Sequence, residues 1–182
     1  MKAHSKFMLA ALVTAALAAC NTAPRTEEDK QQLEARSKAE LQVYLSKDSS
    51  IQGLIDKSVG YVVFPSVGKG AWFIGGSYGK GEVFTKTGAK LGYADITEVS
   101  AGFTWGAQDF SEILIFMRQD DFDSFKKGDF SVGANASAVL LNAGAAGKTD
   151  PSKGVIAFMD AKGGVMAEAS VSGQRLRFHA EP

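Results

Sequence analysis

Residues 68–81 read Gly68-Lys69-Gly70-Ala71-Trp72-Phe73-Ile74-Gly75-Gly76-Ser77-Tyr78-Gly79-Lys80-Gly81. Apolar and aromatic residues of strand type are here interrupted by glycine at short intervals. Glycine inside a strand gives up side-chain contacts, so its repeated use marks bulges, sharp coiling or the close approach of two backbones. Small, strongly curved sheets are built in this way. A phosphate-cradling loop is the competing reading, and the spacing excludes it. A Walker A loop needs a glycine five residues before its Gly-Lys pair and Ser or Thr after it. For Gly79-Lys80 those positions hold Ile74 and Gly81, and for Gly147-Lys148-Thr149 the first glycine is replaced by Asn142. No GxGxxG fingerprint occurs, and Glu82-Val83-Phe84 continues as a strand where a helix N-terminus would be required.

Working outward, glycine divides the 182 residues into two regimes. Residues 1–52 contain none, and all 20 glycines fall between Gly53 and Gly173. In the glycine-free part, Thr26 stands three residues before Asp29 and opens a run of helix formers from Glu27 to about Lys47. Leu33, Leu41, Tyr44 and Leu45 lie near one face of that helix and Val43 lies off it, so the helix is only partly amphipathic. A short second helix is expected from Ser50, turning Ile51, Leu54 and Ile55 inward. Strand-type runs follow at 61–64, 71–78, 82–86, 91–97, 100–107, 112–117, 154–159, 165–171 and 174–178, with an Asp-rich helical turn at 119–127 carrying Phe122 and Phe125. The expected fold is α+β: a coiled, mostly antiparallel sheet, partly barrel-like, with the N-terminal helices packed on it.

The first residues carry a different message. Lys2 and Lys6 precede an apolar run from Phe7 to Ala19, too short to span a hydrocarbon core that needs about 20 residues. It reads as an export signal ending Leu17-Ala18-Ala19-Cys20, which resembles the lipobox of bacterial lipoproteins. Cys20 is then the lipid-attachment residue and the first residue of the mature chain. Three acyl chains would exceed the two signals that stable anchoring requires. Asn21 in place of aspartate implies sorting to the outer membrane, with the domain facing the periplasm. The expected division is 1–19 signal peptide, 20–26 lipidated tether and 27–182 domain.

Composition limits the chemistry. Lys plus Arg and Asp plus Glu both number 20, and removing residues 1–19 leaves 18 basic against 20 acidic, which argues against bulk electrostatic binding of nucleic acid. Cys20 is the sole cysteine and His4 and His179 the only histidines, too few for a disulfide framework or a Cys/His metal site. No cofactor is expected. His179, near the C-terminus, reads as a solvated tail residue. Acidic pairs, Asp95 with Glu98, Asp109 with Glu112, and the cluster Asp120, Asp121 and Asp123, leave a carboxylate-dependent hydrolase as an alternative. Lysines adjoin glycine at Lys69, Lys80, Lys127, Lys148, Lys153 and Lys162. A lysine at a glycine turn presents its ammonium beyond a backbone that can itself approach an anion. Near an anionic bilayer each is worth about 1 kcal/mol. The bland reading is that such lysines keep strand edges soluble and unpaired.

Taken in order, these motifs resemble the SYLF domain. The resemblance runs from Glu34 to Phe178 through Ser37-Lys38-Ala39-Glu40, Phe64-Pro65, Gly75-Gly76-Ser77-Tyr78-Gly79-Lys80-Gly81, Gly102-Phe103 to Gly106-Ala107-Gln108, Ile113 to Met117, Phe122 and Phe125, Gly133-Ala134-Asn135-Ala136-Ser137 to Gly147-Lys148, and Lys162-Gly163-Gly164 to Ser172-Gly173. It implies a non-enzymatic, membrane-associated module. Eukaryotic members bind phosphoinositides, aided by an amphipathic N-terminal helix, and some bind actin. Here the helix opens on Glu27, Glu28 and Asp29, and an exported bacterial chain would not meet actin, so the implied activity is recognition of anionic phospholipid head groups. The expected partner is the phospholipid membrane, with Lys69 and Lys80 the first candidates for contact. The alternative is an envelope protein-interaction module that offers a sheet edge to a partner.

Overall fold

A computed structural model describes Pro24 and residues 26–69, 76–99, 109–133, 136–162 and 173–181. Helix α1 is Glu27–Lys47. Its start is set by a capping box: Thr26 Oγ1 accepts from the Asp29 amide at 3.0 Å, and the Thr26 amide donates to the Asp29 carboxylate at 3.2 Å. Helix α2, Ile51–Lys57, follows after Asp48. The strands are β1 (Gly60–Lys69), β2 (Gly76–Thr85), β3 (Lys90–Val99), β4 (Asp109–Phe116), β5 (Asp129–Val132), β6 (Ala136–Leu140), β7 (Val155–Lys162) and β8 (Gln174–Ala180), with α3 (Gln119–Lys126) between β4 and β5. They form one sheet in the order β5-β8-β3-β2-β1-β4-β7-β6. Every pairing is antiparallel except the parallel β6–β7. The two edge strands β5 and β6 are consecutive in the chain, so the sheet curls until its ends are neighbours and the whole is nearly a barrel. The expected α+β fold holds.

Two buried clusters occupy the two faces, as the period of two in a strand demands. Inside the curl lie Val62, Phe64, Val83, Ile96, Leu114, Phe116, Ala157, Met159 and Leu176, with Phe122 and Phe125 of α3 packed into the same cluster. Outside lie Tyr61, Val63, Phe84, Ile113, Ile115, Ile156 and Phe158, covered by Tyr44, Ile51 and Ile55 of the two N-terminal helices. Glycine makes the curl possible. A Cβ on Gly81 would stand 2.5 Å from the Val63 carbonyl oxygen and 2.6 Å from the Phe64 ring, so β2 can lie this close to β1 only without a side chain there.

The register also corrects several boundaries. Strand β1 does not stop at Pro65 but passes through it, with an irregularity between Val63 and Ser66 that absorbs the missing amide. The separate runs expected at 71–78 and 82–86 are one strand from Gly76 to Thr85. Strands β5 and β6 were not expected at all. The expected strands at 100–107 and 165–171 lie outside the described residues.

Helix α1 is held to the sheet by polar groups as much as by apolar ones. Its buried residues are Leu33, Ser37, Glu40 and Tyr44, while Val43 is exposed. Tyr44 Oη donates to the Ser111 carbonyl at 2.8 Å and lies 3.2 Å from the Phe158 carbonyl. Ser111 Oγ donates to Glu40 at 2.6 Å, and Lys162 Nζ reaches the other Glu40 oxygen at 2.7 Å. Lys47 pairs with Asp160 at 2.6 Å. Tyr44→Phe should therefore cost about 1–3 kcal/mol, read as a lower urea midpoint with an unchanged slope, because buried carbonyls lose a donor while the ring volume is kept.

Candidate anion-binding cleft

Because α1 crosses the outer face of β1 and β2, one flank of the helix overhangs the strands and leaves a cleft of about 440 Å³. Arg36, Gln32 and Asp29 come from the helix, Pro65, Ser66 and Gly68 from β1, and Tyr78, Gly79 and Lys80 from β2. Pro24, at the start of the described chain, lines it too. Each position has a local reason. The alternation of β2 turns Val83 inward and Lys80 outward. Gly68 adds no side chain to the floor, and Gly79, whose Cβ would meet Val67 and Ile96 of the inner cluster, lets β2 lie close to β1 beneath it. A cleft with a guanidinium and an ammonium on facing walls suits an anion carried on a small polar head.

Beside the cleft, Asp95 of β3 is the directly paired neighbour of Lys80 on one side and of Arg177 on the other. Asp95 is buried, accepts from Tyr78 Oη at 3.2 Å, and lies 2.8 Å from His179 Nε2. The reading of His179 as a solvated tail residue is thus corrected. It belongs to β8, is half-buried, and is tied across the sheet to β3.

The six candidate lysines do not share one rim. By register Lys69 and Lys162 are at the same end of the sheet, flanking Asp109: Gly68 abuts the Asp109 carboxylate and Lys162 pairs with Asp109. The Lys69 side chain lies outside what the structure describes. Lys162 is committed to Glu40 and to the Pro65 carbonyl at 2.8 Å, so it acts as a clamp on α1. Lys127 caps α3, and Lys153 precedes β7, at the opposite end of the sheet. Lys148 donates to Asn142 at 3.0 Å in the connection between β6 and β7. Of the five whose side chains are described, Lys80 alone lines the cleft. Arg36 on α1, and Arg175 and Arg177 on β8, were missed. The alternation Gln174-Arg175-Leu176-Arg177-Phe178 was the available signal, since Leu176 is buried while both arginines are exposed. Cys20 lies outside the described residues.

The acidic groups are dispersed. Asp109 is exposed, whereas Glu112, three residues on and so on the other face of β4, is buried inside the curl with Gln174 Nε2 at 3.0 Å. The side chain of Glu98 is outside what is described. On α3, Asp123 is hydrogen-bonded by Lys126 and Gln119, which hold its carboxyl below the usual range, and Asp121 faces Arg118. Among the described residues no group of three His, Cys, Asp or Glu could hold a metal, and none of the described helices is long and apolar enough to cross a membrane.

On the other flank of α1, Lys90 reaches Glu181 at 2.8 Å and stands 3.9 Å from both Glu34 and Glu82. Glu82 is fully buried on β2, and neither of its oxygens has a hydrogen bond. Burial pushes its carboxyl up to about 7, against the pull of Lys90. Burial alone would lower Lys90, but hydrogen bonds to Glu181 and Tyr93 raise it instead.

Comparison with curated proteins found no match. Residues 97–181, from the end of β3 through β8, match the family described as Ysc84: Las17-binding protein actin regulator. The C-terminal part of the chain is thus similar to the SYLF (Ysc84) domain family.

Proposed function

We propose that this chain is a lipoprotein acylated at Cys20, anchored in the outer membrane and facing the periplasm, whose SYLF domain is non-catalytic and contacts anionic phospholipid head groups in the cleft between Arg36 and Lys80. The observation that carries the proposal is the position of Pro24 in the cleft wall. Cys20 is four residues away, and four extended residues reach at most ~14 Å. An acyl anchor on Cys20 thus keeps the cleft within reach of the head-group layer, where its two cations find phosphate. The anchor supplies affinity and the cleft supplies orientation or lipid choice. The family description names an actin regulator; what we carry over to this chain is lipid recognition, since an exported protein does not meet actin.

Vesicle co-sedimentation tests it. The chain from Asn21 onward, which retains every described element, should bind vesicles containing phosphatidylglycerol and not neutral ones. Arg36→Ala with Lys80→Ala should weaken that binding roughly 30-fold, as the loss of two basic contacts of about 1 kcal/mol each implies. No binding by the parent, or equal binding by the variant, would sink the head-group claim. In cells, Cys20→Ser should leave the membrane fraction; a variant that matured and stayed membrane-bound would remove the anchor from the proposal.

A further inference from the structure

Helix α1 is fixed unevenly along its length. From Glu40 onward it is clamped: Glu40 takes Ser111 and Lys162, Tyr44 reaches two carbonyls, and Lys47 pairs with Asp160. Its first half, residues 27–37, buries only Leu33 and Ser37, and the Ser37 hydroxyl makes no hydrogen bond. Under this half lies Glu82 of β2, set by register between Val63 of β1 and Tyr93 of β3. Lys90 marks the place, standing 3.9 Å from Glu82 and 3.9 Å from Glu34 of the helix. The Glu82 side chain is fully buried, and neither oxygen is hydrogen-bonded. The charges that face it are Glu34 and Lys38 from α1, Lys90 from β3 and Glu181 beyond β8. They cancel, and both lysines are engaged elsewhere, Lys38 with Glu34 and Lys90 with Glu181. The Tyr93 hydroxyl is taken up by Lys90 and Glu181 as well.

We propose that Glu82 is a proton latch on the first half of α1. Protonated, it lets the half-helix stay seated on β2; ionised, it drives the half-helix off the strand, with the Glu40 and Tyr44 clamp as hinge, until water reaches the charge. A carboxylate without hydrogen bonds is costly to bury, and lifting a segment held by so little apolar surface is the least disruptive way to hydrate it. The direction follows from burial, which pushes the carboxyl up to about 7 with the helix seated, against 4.5 in water. The seated state binds the proton more tightly, so its advantage is full below pH 4.5 and is lost as pH rises to about 7. Asp29, Gln32, Leu33 and Arg36, the α1 residues that line the cleft, all belong to the lifting half. The cleft therefore keeps both walls in acid and loses one at neutral to basic pH, whatever it binds.

Hydrogen–deuterium exchange of the full chain in a neutral detergent, read by mass spectrometry and corrected for the intrinsic pH dependence of amide exchange, tests this. Peptides within residues 30–38 should lose protection about 70-fold between pH 5 and pH 8, the change in the opening equilibrium that a carboxyl moving from about 7 to 4.5 produces. A detached half-helix shorter than ~12–15 residues does not hold its own hydrogen bonds, so lifting is visible as exchange. Peptides within 41–47 and 112–116 should remain at least about tenfold better protected than 30–38 at pH 8. In Glu82→Gln, residues 30–38 should be equally protected at both pH values. Equal protection of 30–38 and 112–116 in the parent at pH 8 would mean that the helix leaves only with the whole sheet, and would overturn the latch. Protection of 30–38 that does not change with pH in the parent would overturn it too. The same loss in Glu82→Gln as in the parent would show that another group drives the opening, against the proposal.

Discussion

Replacing Gly92 with alanine is expected to lower the thermal midpoint by roughly 6–12 °C, the shift that about 3 kcal/mol produces in a domain of this size. Gly92 lies in β3 with φ +152, a conformation that side-chain-bearing residues rarely adopt. An added Cβ would overlap the His179 carbonyl oxygen and come within 3.0 Å of the Glu181 amide and 3.1 Å of the Ala180 Cα. All three are backbone atoms of the paired β8 end, so no side-chain rotation relieves the contact. The strand pair must separate, and the separation reaches the Asp95–His179 contact one pair along. Unchanged stability would mean that the close approach of β3 and β8 is not a fixed part of the fold. The neighbouring Ala94, with its Cβ already accommodated in the inner cluster, is the comparison site.

The second large effect has the opposite sign. Glu82→Gln is expected to stabilise the protein by about 3 kcal/mol at pH 8 and to leave it nearly unchanged below pH 4.5. In the unfolded chain the carboxyl titrates near 4.5, and in the folded protein near 7. The folded state therefore binds the proton more tightly. The stability this provides is fully present below pH 4.5, is lost as pH rises, and is gone above about pH 7, where folding must bury a carboxylate with no hydrogen bonds and only a distant lysine. Denaturant melts of parent and variant from pH 4 to pH 8 should diverge over that window and run parallel above it. Superimposable curves at every pH would mean that Glu82 is hydrated or paired in solution.

Much of the architecture could be read from residues alone, because it is written in local signals. Thr26 and Asp29 fixed the start of α1, and the absence of glycine before Gly53 fixed its uninterrupted run. The glycines at 79 and 81 announced a sheet bent tightly enough for backbones to touch. Strands β5 and β6 escaped notice for a physical reason. Asp129–Val132 is a single short run behind Gly128, and Ala136–Leu140 is half-buried along its whole length, so its small side chains show no alternation. The site was legible only in part. Lys80 stood out between two glycines, but Arg36 joins it because α1 crosses the sheet, and that crossing is tertiary. Glu82 could not be told from a surface glutamate, since its burial comes from the helix that lies over β2. The lysines at 127, 148 and 153 each adjoin one glycine, and it is their place in the fold, away from α1 and β2, that sets them apart from Lys80.

The strand order also has a consequence in time. The meander β1-β2-β3 pairs between neighbours in the chain, so these contacts close early, and β4 then adds to the free side of β1. The far side of β3 pairs with β8, and among the described strands β5 pairs only with β8. Until residues 174–180 have been delivered, β3 keeps an open edge and β5 has no partner at all. A chain emerging from its N-terminus is thus half-folded at this point, with a reactive strand edge exposed. The seven residues of β8 then close the edge of β3 and give β5 its partner in one step, so a single short segment locks both halves of the sheet.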